Sequence, residues 1–210
     1  IGYADICTST ETITNIGLLN VGSVANMNRM FSNTGYTAMT SLNLESNFDT
    51  SNVTNMSGMF AGTGYKKMTT INLGSNFNTN KVTDMNNMFN ATGYTAMTSL
   101  NLGDKFNTSN VTDMANMFNN TGHTVMTSLN LGSGFNTSKV TNMGSMFYCV
   151  GFGKLQNLDL GSDFDTSNVT NMRQMFAGVG QVSPITTLNL GNNFNTNKLQ
   201  NMNQMFYQTG

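Results

Sequence analysis

The chain has 210 residues, enough for one domain or at most two and for a sizeable buried core. Only 9% of it is charged, against roughly 25% in ordinary domains, and nine Lys+Arg against ten Asp+Glu leave a net charge of −1. That balance excludes the electrostatic footprint of a nucleic-acid or anionic-membrane binder. No run approaches the roughly 18 consecutive apolar residues of a membrane span, and one His with no Trp leaves little material for metal or acid–base chemistry. Thirty-five asparagines, one residue in six, take the place of the missing charge. Such polar low complexity would suit a disordered chain, were the apolar residues not placed periodically.

Residues 1–12 read as an N-terminal cap or the tail of a preceding coil, since Gly2-Tyr3 echoes Gly35-Tyr36. With no signal peptide, a chain opening at Ile1 reads as a mature product or a fragment. Residues 13–210 form one repeat array. Met-Phe recurs at Met30, Met59, Met88, Met117, Met146, Met175 and Met205, in steps of 29 with one step of 30. The extra residue falls in Gln181–Ile185, beside the single proline, Pro184. All 18 methionines fall in three columns, those of Met56, Met59 and Met39, and 13 of 14 phenylalanines in two, those of Phe60 and Phe48. Leu155 and Ile185 complete the Met39 column and Leu199 the Val53 column, so apolar character persists where the residue type changes. Packing demands that; disorder does not.

The first unit is abridged, with Ile13, Ile16 and Leu18 as a strand pattern and Val24, Met27, Met30 and Phe31 after it. In the next, Met39-x-x-Leu42-x-Leu44 alternates apolar Leu42 and Leu44 with Ser41 and Asn43, the period of a strand with one buried face. Val53, Met56, Met59 and Phe60 stand three and four apart, which predicts a short helix N-capped by Thr50 or Ser51. Asp84 and Asp113 fall in the first turns of the corresponding helices, and the Gly35/Gly64/Gly93 column, glycine in all seven units, marks their ends. One strand and one helix per 29 residues is the leucine-rich-repeat pattern. The expected fold is an α/β solenoid, a right-handed superhelix of about seven coils, each with one short parallel strand and one short helix, stacked into one core. At roughly 4.8 Å per strand the stack is on the order of 35 Å long. Its last unit stops at Thr209-Gly210 without a capping segment, so either the natural chain is longer or subunits stack end to end.

The strings FDTSNVTNMSGMF (48–60), FNTSNVTDMANMF (106–118) and FDTSNVTNMRQMF (164–176) closely resemble the BspA-like leucine-rich-repeat surface proteins of bacteria and mycoplasmas. The resemblance runs from Ile13 to Phe206 and implies an extracellular or cell-surface adhesion protein that is not an enzyme. The units here are longer than those of that family, with a Thr-Gly-Tyr-Thr insertion, and only Cys149 stands near its usual cysteine position.

Candidate sites follow from the columns. The outward strand positions Ser41, Asn43, Thr70, Asn72, Ser99, Asn101, Ser128, Asn130, Asn157, Asp159, Thr187 and Asn189 form two rows of small polar groups, the best ligand-binding candidate. A face this uniform favours a repetitive ligand such as a polysaccharide, a fibrous host or matrix protein, or ice. Tyr36, Tyr65, Tyr94, His123 and Phe152 form a row of loop aromatics that could stack on sugars or a protein, or fold over the seam between strand and helix. His123 is a variant of that row rather than a catalytic imidazole. Met-x-x-Met could chelate copper(I) but reads as core. The Asp49/Asn78/Asn107/Asn136/Asp165/Asn195 column invites calcium, yet only Asp49 and Asp165 are charged in it. Cys7 and Cys149 lie about four coils apart, too far for an intrachain disulfide. No metal or cofactor is expected. The reading is a non-enzymatic adhesion module. The alternatives are a head-to-tail filament protomer and an ice-binding protein.

Overall fold

An apolar residue recurring every 29 positions is well buried only if its copies lie side by side. In the computed structural model, which describes residues 8–103 and 105–210, they do. Six three-residue strands carry the alternating segments: β1 (Ser41–Asn43), β2 (Thr70–Asn72), β3 (Ser99–Asn101), β4 (Ser128–Asn130), β5 (Asn157–Asp159) and β6 (Thr187–Asn189). They pair in parallel as β1–β2, β3–β4 and β5–β6, each residue opposite its own copy, as Leu100 is opposite Leu129. A second line of parallel bridges runs unbroken through all seven repeats, from Asn26 to Asn55, Asp84, Asp113, Asn142, Asn171 and Asn201.

The predicted helix does not form. The segment after each bridge is a ribbon of overlapping turns, and its amides alternate between two partners. In the third repeat Met88 N, Asn90 N and Thr92 N donate to carbonyls three residues back, those of Met85, Asn87 and Phe89. The intervening Met85 N, Asn87 N, Phe89 N and Ala91 N donate instead to Asp113, Ala115, Met117 and Asn119 of the next repeat. A continuous helix would need all of these amides to look four residues back within one repeat. Left-handed residues prevent it: Asn87, Ala91 and Gly93 have φ of 57°, 55° and 53°, and the same three positions are left-handed in the neighbouring repeats. Asparagine and glycine dominate there because they tolerate that conformation. The Gly35/Gly64/Gly93 column therefore does need positive φ, as expected, but it closes a turn ribbon rather than a helix.

Three smaller expectations change with it. Thr50 is no N-cap: it is buried, and its Oγ1 donates to the Asn78 carbonyl at 2.8 Å while accepting from the Asn78 N–H at 2.7 Å. Asp84 and Asp113 accept from the amides of Asn86 and Ala115 two residues on, closing turns rather than facing a helix dipole. Ile16–Leu18, read as a seventh strand, is a single 3-10 turn that buries Ile16 and leaves Leu18 82% exposed; it is the one helical element among the described residues. Cys7 and most of the 1–12 segment lie outside the described residues, although Thr8 O accepts from both the amide and the hydroxyl of Thr37. Cys149 is a buried free thiol.

The inward positions are those read from the columns. Every methionine except Met30 and Met202 is buried, and Phe31, Phe60, Phe89, Phe118, Phe147, Phe176 and Phe206 stack at 5.3–5.7 Å between neighbours. Met117→Ala should cost about 2–5 kcal/mol in urea unfolding, as a buried Met truncation does, whereas Val182→Ala, at a position 65% exposed, should change stability little. The turn ribbon has its own test. In a helix Asn116→Ala would stabilise; at φ 56° it should destabilise by about 1 kcal/mol while Asn116→Gly is tolerated, and the reverse order would restore the helix.

Candidate functional site

The strand rows are where the sequence put them. Both outer residues of every strand are exposed and the central one is turned inward. Pairing brings Ser99 beside Ser128 and Asn101 beside Asn130, so both rows are in register within each strand pair. The asparagine row also has a structural duty that sequence reading missed. Asn72 Oδ1 accepts from Gly74 N at 3.0 Å, Asn101 Oδ1 from Gly103 N at 3.0 Å and Asn130 Oδ1 from Gly132 N at 2.9 Å. Each side chain closes a turn at the end of its strand, and the Gly that follows takes φ of 74–78°. The Oδ1 is committed inward to the backbone, and the Nδ2 amide is the group left to meet a ligand. Asp159 keeps the turn, with Gly161 N at 3.0 Å, but has no such donor; Asn189 Nδ2 donates to it at 3.1 Å. The signal in the sequence was Asn-x-Gly at the end of four of the six strands, varied to Asn43-Leu44-Glu45 after β1 and Asp159-Leu160-Gly161 after β5.

The calcium candidates belong to a second column of the same kind. Asp49, Asn78, Asn107, Asn136, Asp165 and Asn195 each accept from the amide two residues on, at 2.8–3.0 Å. The bond from Ser51 N is the main reason the Asp49 carboxyl sits below its ordinary range. Among the described residues no group of three or more His, Cys, Asp or Glu is placed to hold a metal ion.

Tyr36, Tyr65, Tyr94, His123 and Phe152 come together as one continuous stack, with ring centroids 4.4–4.6 Å apart and planes within 11°. The rings stack on one another, a contact that neither reading of the row included, and the faces of the interior members are taken up by their neighbours. Interior members offer a ligand only edges and, in the tyrosines, hydroxyls. Burial raises the Tyr65 and Tyr94 phenols and lowers the His123 imidazole. It also raises the Cys149 thiol, which favours the protonated form.

His123 gives a pH signature. Its folded pKa lies below the unfolded value near 6.5, so the unfolded chain takes up the proton first. Stability should be full above pH 6.5 and fall as the pH drops toward the folded pKa. His123→Tyr, the residue used elsewhere in the column, should flatten the melting temperature between pH 6.5 and 4.5; an unchanged slope would place the titration elsewhere.

No curated protein and no solved structure matches the chain. A family described as "Mycoplasma protein of unknown function, DUF285" matches at residues 5–124, 65–181 and 124–210. Those overlapping segments take in nearly every residue, including all six strands and the aromatic stack. The chain therefore belongs to that DUF285 family.

Proposed function

We propose that this chain is a stretch of repeat solenoid of the kind it resembles, the BspA-like surface proteins, and that it works outside the cell or on its surface as a non-enzymatic adhesion module. The contact surface in this reading is the strand face, and the ligand is a polymer with its own short repeat, a neutral polysaccharide or a fibrous matrix protein. One observation carries it: exposed Ser/Thr hydroxyls and Asn amides stand in parallel register on paired strands. Adjacent strands are spaced roughly 4.8 Å apart, so an extended polymer laid across them meets the same hydroxyl and Nδ2 donor again and again. Each contact is weak; their number supplies the avidity. A surface varied from repeat to repeat would suit one irregular epitope, and this face is nearly constant.

The reading is tested by retention of the purified chain on cellulose, chitin and collagen fibrils, alone and as Ser99→Tyr/Ser128→Tyr. Tyrosine is a good strand residue, so the double variant should fold while covering the middle of the Ser/Thr row. Retention on at least one polymer, reduced tenfold or more by the variant with its melting temperature kept, is the expected result. Undiminished retention would move the contact off this face, and no retention anywhere would remove the adhesion reading. Thermal hysteresis of the same sample would point to ice instead.

A further inference from the structure

The exposed turn ribbon, unlike the strand face, changes from repeat to repeat. At the position of Gly58 the other repeats carry Arg29, Asn87, Asn116, Ser145, Gln174 and Gln204, all left-handed. The second repeat alone has glycine both there and at Gly62, four residues on. The two glycines floor a groove of about 500 Å³ that spans three repeats and shares no residue with the strand face.

Its walls are chemically specific. On one side the stem of Arg29 lies across Gly58: a Cβ built there would meet Arg29 Cγ at 3.1 Å and Nε at 3.8 Å. Glycine lets the side chain lie down along the groove, and among the described residues no acidic group pairs with it. Opposite, Asn90 Nδ2 donates to Asn87 Oδ1 at 2.9 Å and Asn87 Nδ2 donates to Asn86 Oδ1. That relay leaves the side-chain Nδ2 of Asn86 and Oδ1 of Asn90, one donor and one acceptor, at its two ends. Tyr36 and Tyr65 close the third side, where their stacked rings present edges and phenol hydroxyls.

We propose that this groove is a binding site for an acidic saccharide, a sugar whose carboxylate pairs with the Arg29 guanidinium and whose ring hydroxyls bond the Asn86, Asn90 and Tyr36 groups. A planar guanidinium accepts a carboxylate through two parallel hydrogen bonds. Amides and phenols both donate and accept, as sugar hydroxyls require. A peptide would need buried apolar or aromatic anchor pockets, and the floor here is glycine and alanine. A polyphosphate or nucleic acid would need several cations, and Arg29 is the only one lining the groove.

The repeat supplies fold-compatible variants. Arg29→Gln puts in the residue that Gln174 and Gln204 hold in the same column at φ 56°, and Gly58→Asn the residue of Asn87 and Asn116 at 57° and 56°. Calorimetric titration with a tetrasaccharide of alternating glucuronate and N-acetylglucosamine, with sialyllactose, and with the carboxyl-reduced form of each is the experiment. At least one acidic probe should bind tenfold or more tighter than its reduced form, with the difference shrinking as salt is raised. Arg29→Gln should erase that difference and Gly58→Asn should weaken binding several-fold, while Ser99→Tyr/Ser128→Tyr leaves it unchanged. Equal binding of acidic and reduced sugars, binding indifferent to Arg29→Gln, binding of polyglutamate as tight as of the sugars, or no binding of either probe would each overturn the proposal.

Discussion

The alternation of backbone hydrogen bonds in the turn ribbon is what the rest of the structure depends on. Every second amide closes a turn inside its own repeat, and the one between reaches the next repeat, as Phe89 N reaches Met117 O at 2.8 Å. This satisfies the backbone locally and between neighbours at once, which a ribbon with one buried face must do. It also fixes what neighbours what. Residue i lies beside its copy 29 positions on, and every side chain must be compatible with itself at a strand's spacing. The apolar spines satisfy that rule by stacking, Phe60 on Phe89 at 5.3 Å and Tyr65 on Tyr94 at 4.6 Å.

Self-compatibility also explains the composition. Two like charges roughly 4.8 Å apart repel by about 1 kcal/mol even in bulk water and several times that near a protein surface, so a charged column would work against the stack in every repeat. Asparagine has a donor and an acceptor and can bond its own copy, as Asn171 Nδ2 does to Asn142 Oδ1 at 2.9 Å. Threonine does the same through the backbone: the hydroxyls of Thr83, Thr112 and Thr141 donate to the carbonyls of their own copies Thr54, Thr83 and Thr112 at 3.2 Å. In one column, Asn52/Lys81/Asn110/Lys139/Asn168/Lys198, lysine alternates with asparagine. Lys81 Nζ donates to Asn52 Oδ1 at 2.7 Å, and Lys139 and Lys198 donate to Asn110 and Asn168 at 2.6 Å, which keeps the ammonium groups two repeats apart. Asp84 beside Asp113 breaks the rule, and Asn142 Nδ2 lies 3.5 Å from the second of them.

This logic decided what could be read in advance. Columns of methionine and phenylalanine announce burial whatever the backbone does, so the core, the strands β1 to β6 and the outward Ser/Thr–Asn rows were legible. The helix was not, because apolar residues three and four apart face inward equally well on a helix and on this ribbon. What tells the two apart is the residue between the apolar ones. Asn87 and Asn116 are poor in a helix and good at positive φ, and their column carries no alanine, leucine or glutamate. Ile16–Leu18 misled for a different reason: its apolar pattern is that of β1, but its Leu18 is exposed. The aromatic row was legible as a row, while its stacking depended on a repeat spacing close to the thickness two rings require.

A stack with these rules leaves two kinds of surface. Positions that hold the repeat together, such as Asn101 closing its turn on Gly103, are constant because every copy does the same work, and any ligand they bind inherits their period. Positions facing outward from the ribbon answer only to the requirement for positive φ, which Gly, Asn, Gln, Ser and Arg all meet in this chain. Specificity for a small ligand can therefore arise only where the repeat departs from itself. Gly58 and Gly62 are such a departure, and their effect is spatial rather than chemical: removing two side chains lets Arg29 of one repeat and Asn87 of the next but one face the same space. The constant spine tolerates that departure, since the two glycines drop only side chains: Gly58 N and Gly62 N still donate to the Asn86 and Asn90 carbonyls of the next repeat, and Met59 and Phe60 stay in the core.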